Sequence, residues 1–498
     1  MGQISLSLVS HTNAGKTTLA RTLLGRDIGE VRDAAHVTEF ADAFTMIETA
    51  DGDALRLWDT PGFGDSVRLA RRLHGATQPL GWFLSEVWDR WRDRPFWATQ
   101  QALRNVRDEA DVMLYLVNAA EAPAAAGYVA PELALLGWIG KPVIVLLNQL
   151  GSPGEPAGDA ADVARWRAHL APLPQVQAVL PLDAFARCWV QELTLLEAVE
   201  RSLPAAQRAA MARLRAAWQS RRLATFDAAI GVLAESLART ASARQSVPEG
   251  AGVRGALRQL GTALRGGGGA GADDGRLGSA RAALNAGLDA ELRASTTELI
   301  VLHGLEGRAG PAILARLASH YEARLKLGEG TAAVWGGMVT GALTGLKADV
   351  LSGGLTLGGG LLLGGVLGAF GGAGIARGYN LVRGNDSSWL AWSGAALDPM
   401  VDAALLRYLA VAHFGRGRGD WTESDAPAHW RTVVEAALAP ERATLTSLWA
   451  GRERRRADGP PHEQLGAALQ PLLRRAALAS LEALYPGRLR TGDAGAAH

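Results

Sequence analysis

The chain has 498 residues, enough for about two to four domains at roughly 100–200 residues each. Its 48% hydrophobic and 20% charged residues can build a sizeable core and argue against global disorder. Fifty-one basic and 50 acidic residues give a net charge of +1, so no bulk charge attracts nucleic acid. The single cysteine, Cys188, excludes an internal disulfide and a cysteine-based zinc site, and fits a reducing compartment.

The N-terminus lacks the pattern of a secretory signal. It has no basic segment, and polar residues from Ser10 onwards interrupt its apolar run. Leu6 stands where a myristoylation motif carries Ser or Thr. We therefore expect the chain to be cytoplasmic.

Short apolar runs alternate with helical patterns over the first two hundred residues. This alternation is typical of a doubly wound α/β fold with a mostly parallel sheet. The expected strands lie near Gln3–Val9, Ala41–Glu48, Ala54–Asp59, Val112–Val117, Pro142–Leu147 and Gln177–Leu182. The expected helices follow Lys16, occupy much of Leu80–Val106, and recur near Pro131–Ile139, Ala160–Leu170 and Val190–Leu203.

After Pro204 the sequence becomes rich in Ala, Arg and Leu, with helical periodicity and no strand signal. We expect an α/β domain over residues 1–203 followed by an all-α region. That region would comprise helices at 204–327 with a flexible glycine-rich loop at about 247–278, a glycine-rich apolar helical hairpin at 328–380, and a helical region with a polar tail at 381–498.

Residues 10–17, Ser-His-Thr-Asn-Ala-Gly-Lys-Thr, follow the first strand and open a helix, which is the context of a phosphate-binding P-loop. Lys16 would reach the β- and γ-phosphate oxygens, and Thr17 would hold Mg²⁺. Ser10 replaces the usual first glycine of the motif. The phosphates would lie against the loop and helix start formed by Asn13, Ala14, Gly15, Lys16, Thr17 and Thr18.

Asp59-Thr60-Pro61-Gly62 ends the third expected strand, at the distance expected after a P-loop. Asp59 can bind Mg²⁺ through water, and the Gly62 amide can sense a γ-phosphate. Alone, this tetrapeptide would more often be an ordinary turn. Together with Gly15-Lys16-Thr17 it indicates a nucleotide site.

On these motifs, over about residues 1–203, the chain resembles the translation-factor-related GTPases, in particular the Era and MnmE branch. The resemblance implies a G domain that binds GTP or GDP with Mg²⁺ and hydrolyses GTP. It places Thr38 at the position of the switch I threonine, which is the second Mg²⁺ ligand of such proteins. A plain loop threonine is the alternative for Thr38.

The base-recognition motif departs from the pattern of this family. Asn148-Gln149-Leu150-Gly151 stands where the family carries Asn-Lys-x-Asp, so only Asn148 matches. The missing aspartate would accept guanine protons, and we expect its loss to weaken the preference for guanine over adenine. Asp183 and Ala184 lie where the last base-contacting loop should be.

Two further positions bear on the mechanism. Phe63 occupies the place of the glutamine that orients the attacking water in Ras-like proteins, so hydrolysis needs help from elsewhere. Asn13 matches the asparagine with which potassium-activated members of the branch coordinate K⁺ beside the phosphates. The alternative is that Asn13 only hydrogen-bonds the loop backbone.

An aromatic segment precedes the fourth expected strand. It interleaves Trp82, Phe83, Trp88, Trp91, Phe96 and Trp97 with arginines. Core packing on one helical face is the default interpretation, and a switch-coupled surface that docks a partner is the alternative.

The 27 residues from Val350 to Ala376 carry no charge, and glycine recurs among them at every third or fourth position. This pattern suits a close-packed helical hairpin, either in a membrane or buried in a protein, and we favour membrane association. The order of domains resembles a family of bacterial Era-like GTPases whose C-terminal half is uncharacterised.

The sequence supports two hypotheses about function. The first is a GTP-hydrolysing switch associated with the cytoplasmic face of the inner membrane, slow without an activator or without homodimerisation through the G domain. The second is a nucleotide-stabilised scaffold or membrane-remodelling module with negligible turnover. A role on nucleic acid is the least expected, because the C-terminal half lacks a basic RNA-binding region.

Overall fold

The computed structural model of the chain describes residues 2–25, 42–64, 66–73, 81, 94–148, 156–182, 188–247, 273–305, 379–383, 388–413, 428–454 and 462–489. The chain divides into two compact units. The first contains residues 1–224, 412–427 and 481–498, and the second contains residues 225–411 and 428–480.

A six-stranded sheet forms the centre of the first unit, with strand order β2-β3-β1-β4-β5-β6. Only β2 runs antiparallel to its neighbour, so the α/β fold with a mostly parallel sheet is confirmed. The strands are β1 (Gln3–Ser10), β2 (Asp42–Glu48), β3 (Ala54–Asp59), β4 (Val112–Asn118), β5 (Val143–Asn148) and β6 (Val176–Pro181).

Helices alternate with the strands of this sheet, which is typical of a parallel α/β sheet. They are α1 (Lys16–Leu24), α2 (Ser66–Leu73), α3 (Arg94–Asp108), α4 (Val129–Gly137), α5 (Pro156–Leu170), α6 (Trp189–Ser202) and the long α7 (Ala205–Ser242). The central strands β4 and β5 are almost wholly buried, which explains their continuous apolar sequences. The core between sheet and helices includes Phe63, Phe96 and Trp166.

Strand register brings together the polar residues that end the parallel strands, at the carboxyl ends of those strands. Leu8 of β1 pairs with Asp59 at the end of β3, and Asn118 of β4 pairs with Asn148 of β5. Chain order reverses around β1, because β3 lies on one side of it and β4 on the other. Ligands of open α/β sheets bind at such a reversal, beyond the carboxyl ends of the strands.

The first half of α7 packs against the other end of the sheet, where the parallel strands begin. Gln207 donates to Asp111 Oδ1 at 2.9 Å, and Arg213 Nε donates to Asp53 Oδ2 at 2.7 Å. The backbone amide of Gly2 donates to the other oxygen of Asp53. These contacts place residues 205–224 with the first unit.

Helices dominate the described part of the second unit, which agrees with the expected helical C-terminal region. They are α8 (Asp273–Leu302), α9 (Gly394–Ala412), α10 (Ala428–Leu438), α11 (Arg442–Arg454) and α12 (His462–Leu484), together with the second half of α7. Leu409 of α9, Leu445 of α11 and Leu473 of α12 are buried.

The C-terminal region also contains a small antiparallel sheet, which corrects the expectation that it has no strands. Its order is β7-β9-β8, with β7 (Arg244–Val247), β8 (Tyr379–Arg383) and β9 (Ser388–Trp392). Each strand has four or five residues, too few for alternation to be distinguished from a helical pattern. Pairing across more than 130 residues of sequence, as between Gln245 and Leu390, leaves no local signal.

The glycine-rich tract within 328–380 lies almost entirely outside the described residues, as do residues 248–272 of the expected loop. Among the helices that the structure describes, none combines the length and apolar character needed to cross a membrane. Of the aromatic segment, Phe96 is buried in the core and Trp97 is half-buried, whereas residues 82, 83, 88 and 91 lie outside the described ranges.

Candidate nucleotide-binding site

The P-loop connects β1 to α1 through two residues with positive φ. Asn13 has φ 65°, which asparagine tolerates better than most residues, and Gly15 has φ 94°. A Cβ atom at Gly15 would lie 2.8 Å from Asn148 Nδ2, so space as well as conformation requires glycine. The side chain of Asn13 is exposed and makes no hydrogen bond to another described residue.

The N-terminus of α1 is open towards the loop. Gly15 provides no capping side chain, and the first turn contains no acidic residue. The first amides of a helix have no partner within the helix, and its dipole favours an anion at this end. The segment therefore has the geometry of a phosphate site.

Lys16 is buried beside the loop, and its Nζ donates to Ser10 Oγ at 2.9 Å. Burial lowers the pKa of Lys16 from 10.5 to about 8, although the carboxylates of Asp59 and Glu132 oppose that shift. The hydroxyl of Ser10 thus gives the ammonium a partner that the usual glycine could not. Sequence reasoning missed this contact, because the departure from glycine was the only signal.

Thr17 and Asp59 meet at the start of α1. Thr17 Oγ1 lies 2.7 Å from Asp59 Oδ2, and Asp59 Oδ1 is buried without a hydrogen-bond partner among the described residues. Burial raises the pKa of Asp59 to about 6. An unpartnered carboxylate oxygen beside a hydroxyl is an oxygen donor set that suits Mg²⁺. These residues fit the metal, which would neutralise phosphate charge during phosphoryl transfer.

Switch II, defined here as residues 59–64, lies directly against the P-loop. The Phe63 amide donates to the Ser10 carbonyl at 2.8 Å, and the Phe63 carbonyl accepts from the Thr12 amide at 3.1 Å and from Thr12 Oγ1 at 2.7 Å. A Cβ atom at Gly62 would lie 2.9 Å from Thr12 Cα and 3.1 Å from Lys16 Nζ. Gly62 is therefore next to the lysine, where a γ-phosphate would be sensed.

The Phe63 side chain is fully buried in the core and cannot reach a water in the site. The end of switch II is also fixed to α3, because the Gly64 amide donates to Thr99 Oγ1 at 3.0 Å. A Cβ atom at Gly64 would lie 2.4 Å from Pro95 Cβ. The aromatic segment thus leads directly into the helix that holds switch II.

Asn148 joins the end of β5 to the P-loop. It is fully buried at the end of β5, and its Nδ2 donates to the Ala14 carbonyl at 2.9 Å. The structure therefore brings together the P-loop residues 13–18, Asp59, Gly62 and Asn148. The other expected site residues, Thr38, Gln149, Asp183 and Ala184, lie outside the described residues.

Comparison with known families agrees with this geometry. Residues 5–149 match the model of a family described as 50S ribosome-binding GTPase, and residues 325–473 match a domain of unknown function, DUF3482. No curated protein sequence matches the chain.

Similar solved structures include two of Era. A variant of Era from Aquifex aeolicus bound to GDP and aluminium fluoride is 19% identical, with a TM-score of 0.31. Era in complex with MgGDPNP and a segment of 16S ribosomal RNA is 20% identical, also with a TM-score of 0.31. Each match covers 41% of this chain and 58% of the Era chain.

A bacterial selenocysteine-specific elongation factor, EF-Sec, is 16% identical over 37% of this chain and 26% of its own, with a TM-score of 0.25. The chain therefore combines an N-terminal domain that contains a P-loop and matches the GTPase family with a C-terminal region that matches DUF3482.

Proposed function

We propose that the chain is a Mg²⁺-dependent GTPase that hydrolyses GTP to GDP and phosphate and acts as a molecular switch. The observation that carries the proposal is the Thr17–Asp59 pair, which lies beside the buried Lys16 at an uncapped helix N-terminus. Hydroxyl, carboxylate, ammonium and open backbone amides are the groups that phosphoryl transfer requires.

In this mechanism the protein positions charge rather than forming covalent bonds. Lys16 would bind the β- and γ-phosphate oxygens, Thr17 and Asp59 would hold the metal with Thr38 as a further ligand, and the Gly62 amide would contact the γ-phosphate. The oxygen of a water molecule bonds to the γ-phosphorus while the bond to the GDP oxygen breaks. Both protons of the water leave with the phosphate, as H₂PO₄⁻.

Potassium is the proposed substitute for a water-positioning side chain. Asn13 lies at the rim of the P-loop with its side chain exposed and no hydrogen bond to other described residues. Its amide oxygen is available to bind a monovalent cation beside the phosphates. Such a cation stabilises the charge of the transition state, as an arginine finger does.

The base is proposed to be guanine, held by Asn148 and by the loops that contain Gln149, Asp183 and Ala184. The incomplete motif at Gly151 implies weaker discrimination against adenine than a complete motif would give.

Cellular context belongs to the same proposal. The uncharged glycine-rich tract between 350 and 376 supports association with the inner membrane or with a membrane protein. Homodimerisation through the G domain would bring a second copy to the switches, and the chain would otherwise reside in the bacterial cytoplasm. The balanced charge argues against a nucleic-acid partner.

One observation favours the second function, a nucleotide-stabilised scaffold or membrane-remodelling module with negligible turnover. Phe63 is buried, and its backbone is held to Ser10 and Thr12 by three hydrogen bonds. A switch II fixed in this way would slow the rearrangement that hydrolysis requires.

The proposal is tested by measuring phosphate release from GTP and from ATP, each in potassium and in sodium buffer. We expect release from GTP with Mg²⁺, faster in potassium, and its loss in Lys16→Ala. Equal rates in both salts would overturn the potassium proposal. GTP binding without turnover in either salt would favour the scaffold, and faster use of ATP would refute guanine preference.

A further inference from the structure

A fully buried carboxylate, that of Glu132 on α4, lies beside the P-loop and accepts hydrogen bonds from three other elements. His11 Nδ1 lies 2.7 Å from Glu132 Oε1, and Ser66 Oγ donates to the same oxygen at 2.9 Å. Tyr115 Oη donates to Glu132 Oε2 at 2.7 Å. Burying a carboxylate is costly unless it is hydrogen-bonded, so this arrangement fixes all three donors in place.

The three donors belong to three different parts of the chain. His11 belongs to the P-loop, Ser66 is the first residue of α2 directly after switch II, and Tyr115 lies in the central strand β4. Glu132 therefore links the loop that would bind phosphate to the helix that follows switch II, with β4 as the fixed support.

The orientation of His11 is set from a second side. Its ring stacks on Tyr128, with ring centroids 4.5 Å apart and an angle of 25° between the planes. Since Tyr128 immediately precedes α4, the helix that carries Glu132 also holds the imidazole from its N-terminal end. A shift of α4 would move both contacts of His11 together.

Ser66, His11 and Glu132 do not have the geometry of a nucleophilic Ser–His–carboxylate triad. Ser66 donates its hydroxyl hydrogen to the carboxylate, so the hydroxyl is not presented to the imidazole as a nucleophile would be. Ser66 is also almost completely buried. The geometry holds parts in position and performs no covalent chemistry.

We propose that Glu132 is a positioning residue that couples the P-loop to the first turn of α2. A displacement of Ser66 when switch II moves is passed through the carboxylate to His11 and from there to the P-loop. The consequence for a nucleotide, which rests on the proposed GTPase function, is that Glu132 adjusts the P-loop to the presence of the γ-phosphate.

Hydrogen exchange of backbone amides in the nucleotide-free protein tests the coupling directly. The variants are Ser66→Ala, His11→Ala, their combination, and His11→Asn, which retains a donor near the position of Nδ1. We expect Ser66→Ala to increase exchange in residues 11–19 at least about fivefold, and His11→Ala to do the same in residues 66–70. The double variant should match the more affected single variant, and His11→Asn should restore wild-type exchange.

Glu192→Gln is the matched control for general loss of stability. Glu192 is equally buried in the same unit and accepts from Trp218 and Arg222. The Glu192→Gln variant should not raise the exchange rate of residues 11–19 relative to that of residues 66–70, or the reverse. The proposal is overturned if each single variant affects only its own segment, if the two effects add, or if Glu192→Gln reproduces them.

A second measurement separates this proposal from the proposed function. Ser66→Ala should reduce the ratio of affinities for Mg-GDPNP and Mg-GDP at least about threefold. An unchanged ratio would refute transmission to the γ-phosphate. If the wild-type chain binds neither nucleotide, the proposed function fails, and the exchange experiment still decides whether Glu132 couples the two segments.

Discussion

Thr17 Oγ1 and Asp59 Oδ2 lie 2.7 Å apart, so the first turn of α1 and the carboxyl end of β3 meet in one hydrogen bond. The two residues are 42 positions apart in sequence and are joined because β1 and β3 are neighbours in the sheet. A metal held here would replace this bond with two oxygen ligands that are already in place.

Asp59→Asn should therefore weaken Mg²⁺-dependent nucleotide binding. Asparagine keeps one oxygen but loses the charge, and we expect the affinity for Mg-GDP to fall about tenfold or more. Without Mg²⁺ the same substitution should change GDP affinity less than about twofold. Titrations with and without EDTA measure the difference. A uniform loss in both conditions would contradict a metal role for Asp59.

The raised pKa of Asp59 adds a prediction about protons. At pH 6 the carboxyl is about half protonated in the nucleotide-free protein, since its pKa is about 6. Binding of Mg²⁺ with GDP should release about half a proton at that pH and almost none at pH 8. Calorimetry in buffers of different ionisation enthalpy measures this number. Equal proton release at both pH values would exclude Asp59 as its source.

Lys16 should destabilise the nucleotide-free protein. Its folded pKa of about 8 lies below the unfolded value of 10.5, so the unfolded chain binds more protons between these values. The loss of folding stability caused by burying the protonated Lys16 is complete below pH 8 and disappears as the pH rises to 10.5. Lys16→Met should therefore raise the free energy of unfolding by about 1–3 kcal/mol at pH 7. Urea unfolding should show this gain shrinking by pH 10; a pH-independent difference would refute the assignment.

Gly62 has no room for a side chain. A Cβ atom would lie 2.9 Å from Thr12 Cα, which is backbone and cannot move aside alone. Gly62→Ala should cost about 1–3 kcal/mol of stability and lower phosphate release about tenfold, because switch II must move away from Lys16. Gly127→Ala is the matched control, since nothing lies within 4 Å of the added atom. Similar behaviour of the two variants would contradict the close approach.

The charge network that joins Glu192 of α6 to the first half of α7 should contribute to stability. Glu192 accepts from Trp218 Nε1 at 2.8 Å and from Arg222 Nε at 2.7 Å, and Glu192→Ala would leave a largely buried arginine unpaired. We expect a loss of about 3–5 kcal/mol. Glu200→Ala breaks the more exposed pair with Arg215 and should cost less than about 1 kcal/mol. Equal losses in urea unfolding would refute the network.

The sheet was predictable from sequence because its strands carry strong local signals. The buried run Val143–Leu147 is continuously apolar and is followed by the motif residue Asn148, and all six strands lie within two residues of their expected positions. Lys16, Thr17 and Asp59 were predicted as site residues from their motifs, the strand and helix around them and their spacing, and the structure brings Thr17 and Asp59 into contact. The β7–β9–β8 sheet was missed because its strands have only four or five residues and because β7 lies more than 130 residues before its partner β9.

The contacts made by Glu132 were also out of reach of sequence reasoning. His11 is 121 residues from Glu132, and the glutamate resembles any polar residue of an amphipathic helix. Its burial depends on how α4 packs over the P-loop and α2, which is a property of the assembled fold. The role of Ser10 as a partner for Lys16 similarly needs the three-dimensional path of the loop.

The measurement that tests the central claim most directly is a titration of Mg-GDP and Mg-ADP into the full chain and into Lys16→Ala. We expect the wild-type chain to bind Mg-GDP more tightly than Mg-ADP. Loss of the charge-assisted contact of Lys16 should weaken Mg-GDP binding about 10- to 100-fold. No binding of either nucleotide by the wild-type chain, or equal affinity in Lys16→Ala, would contradict the account.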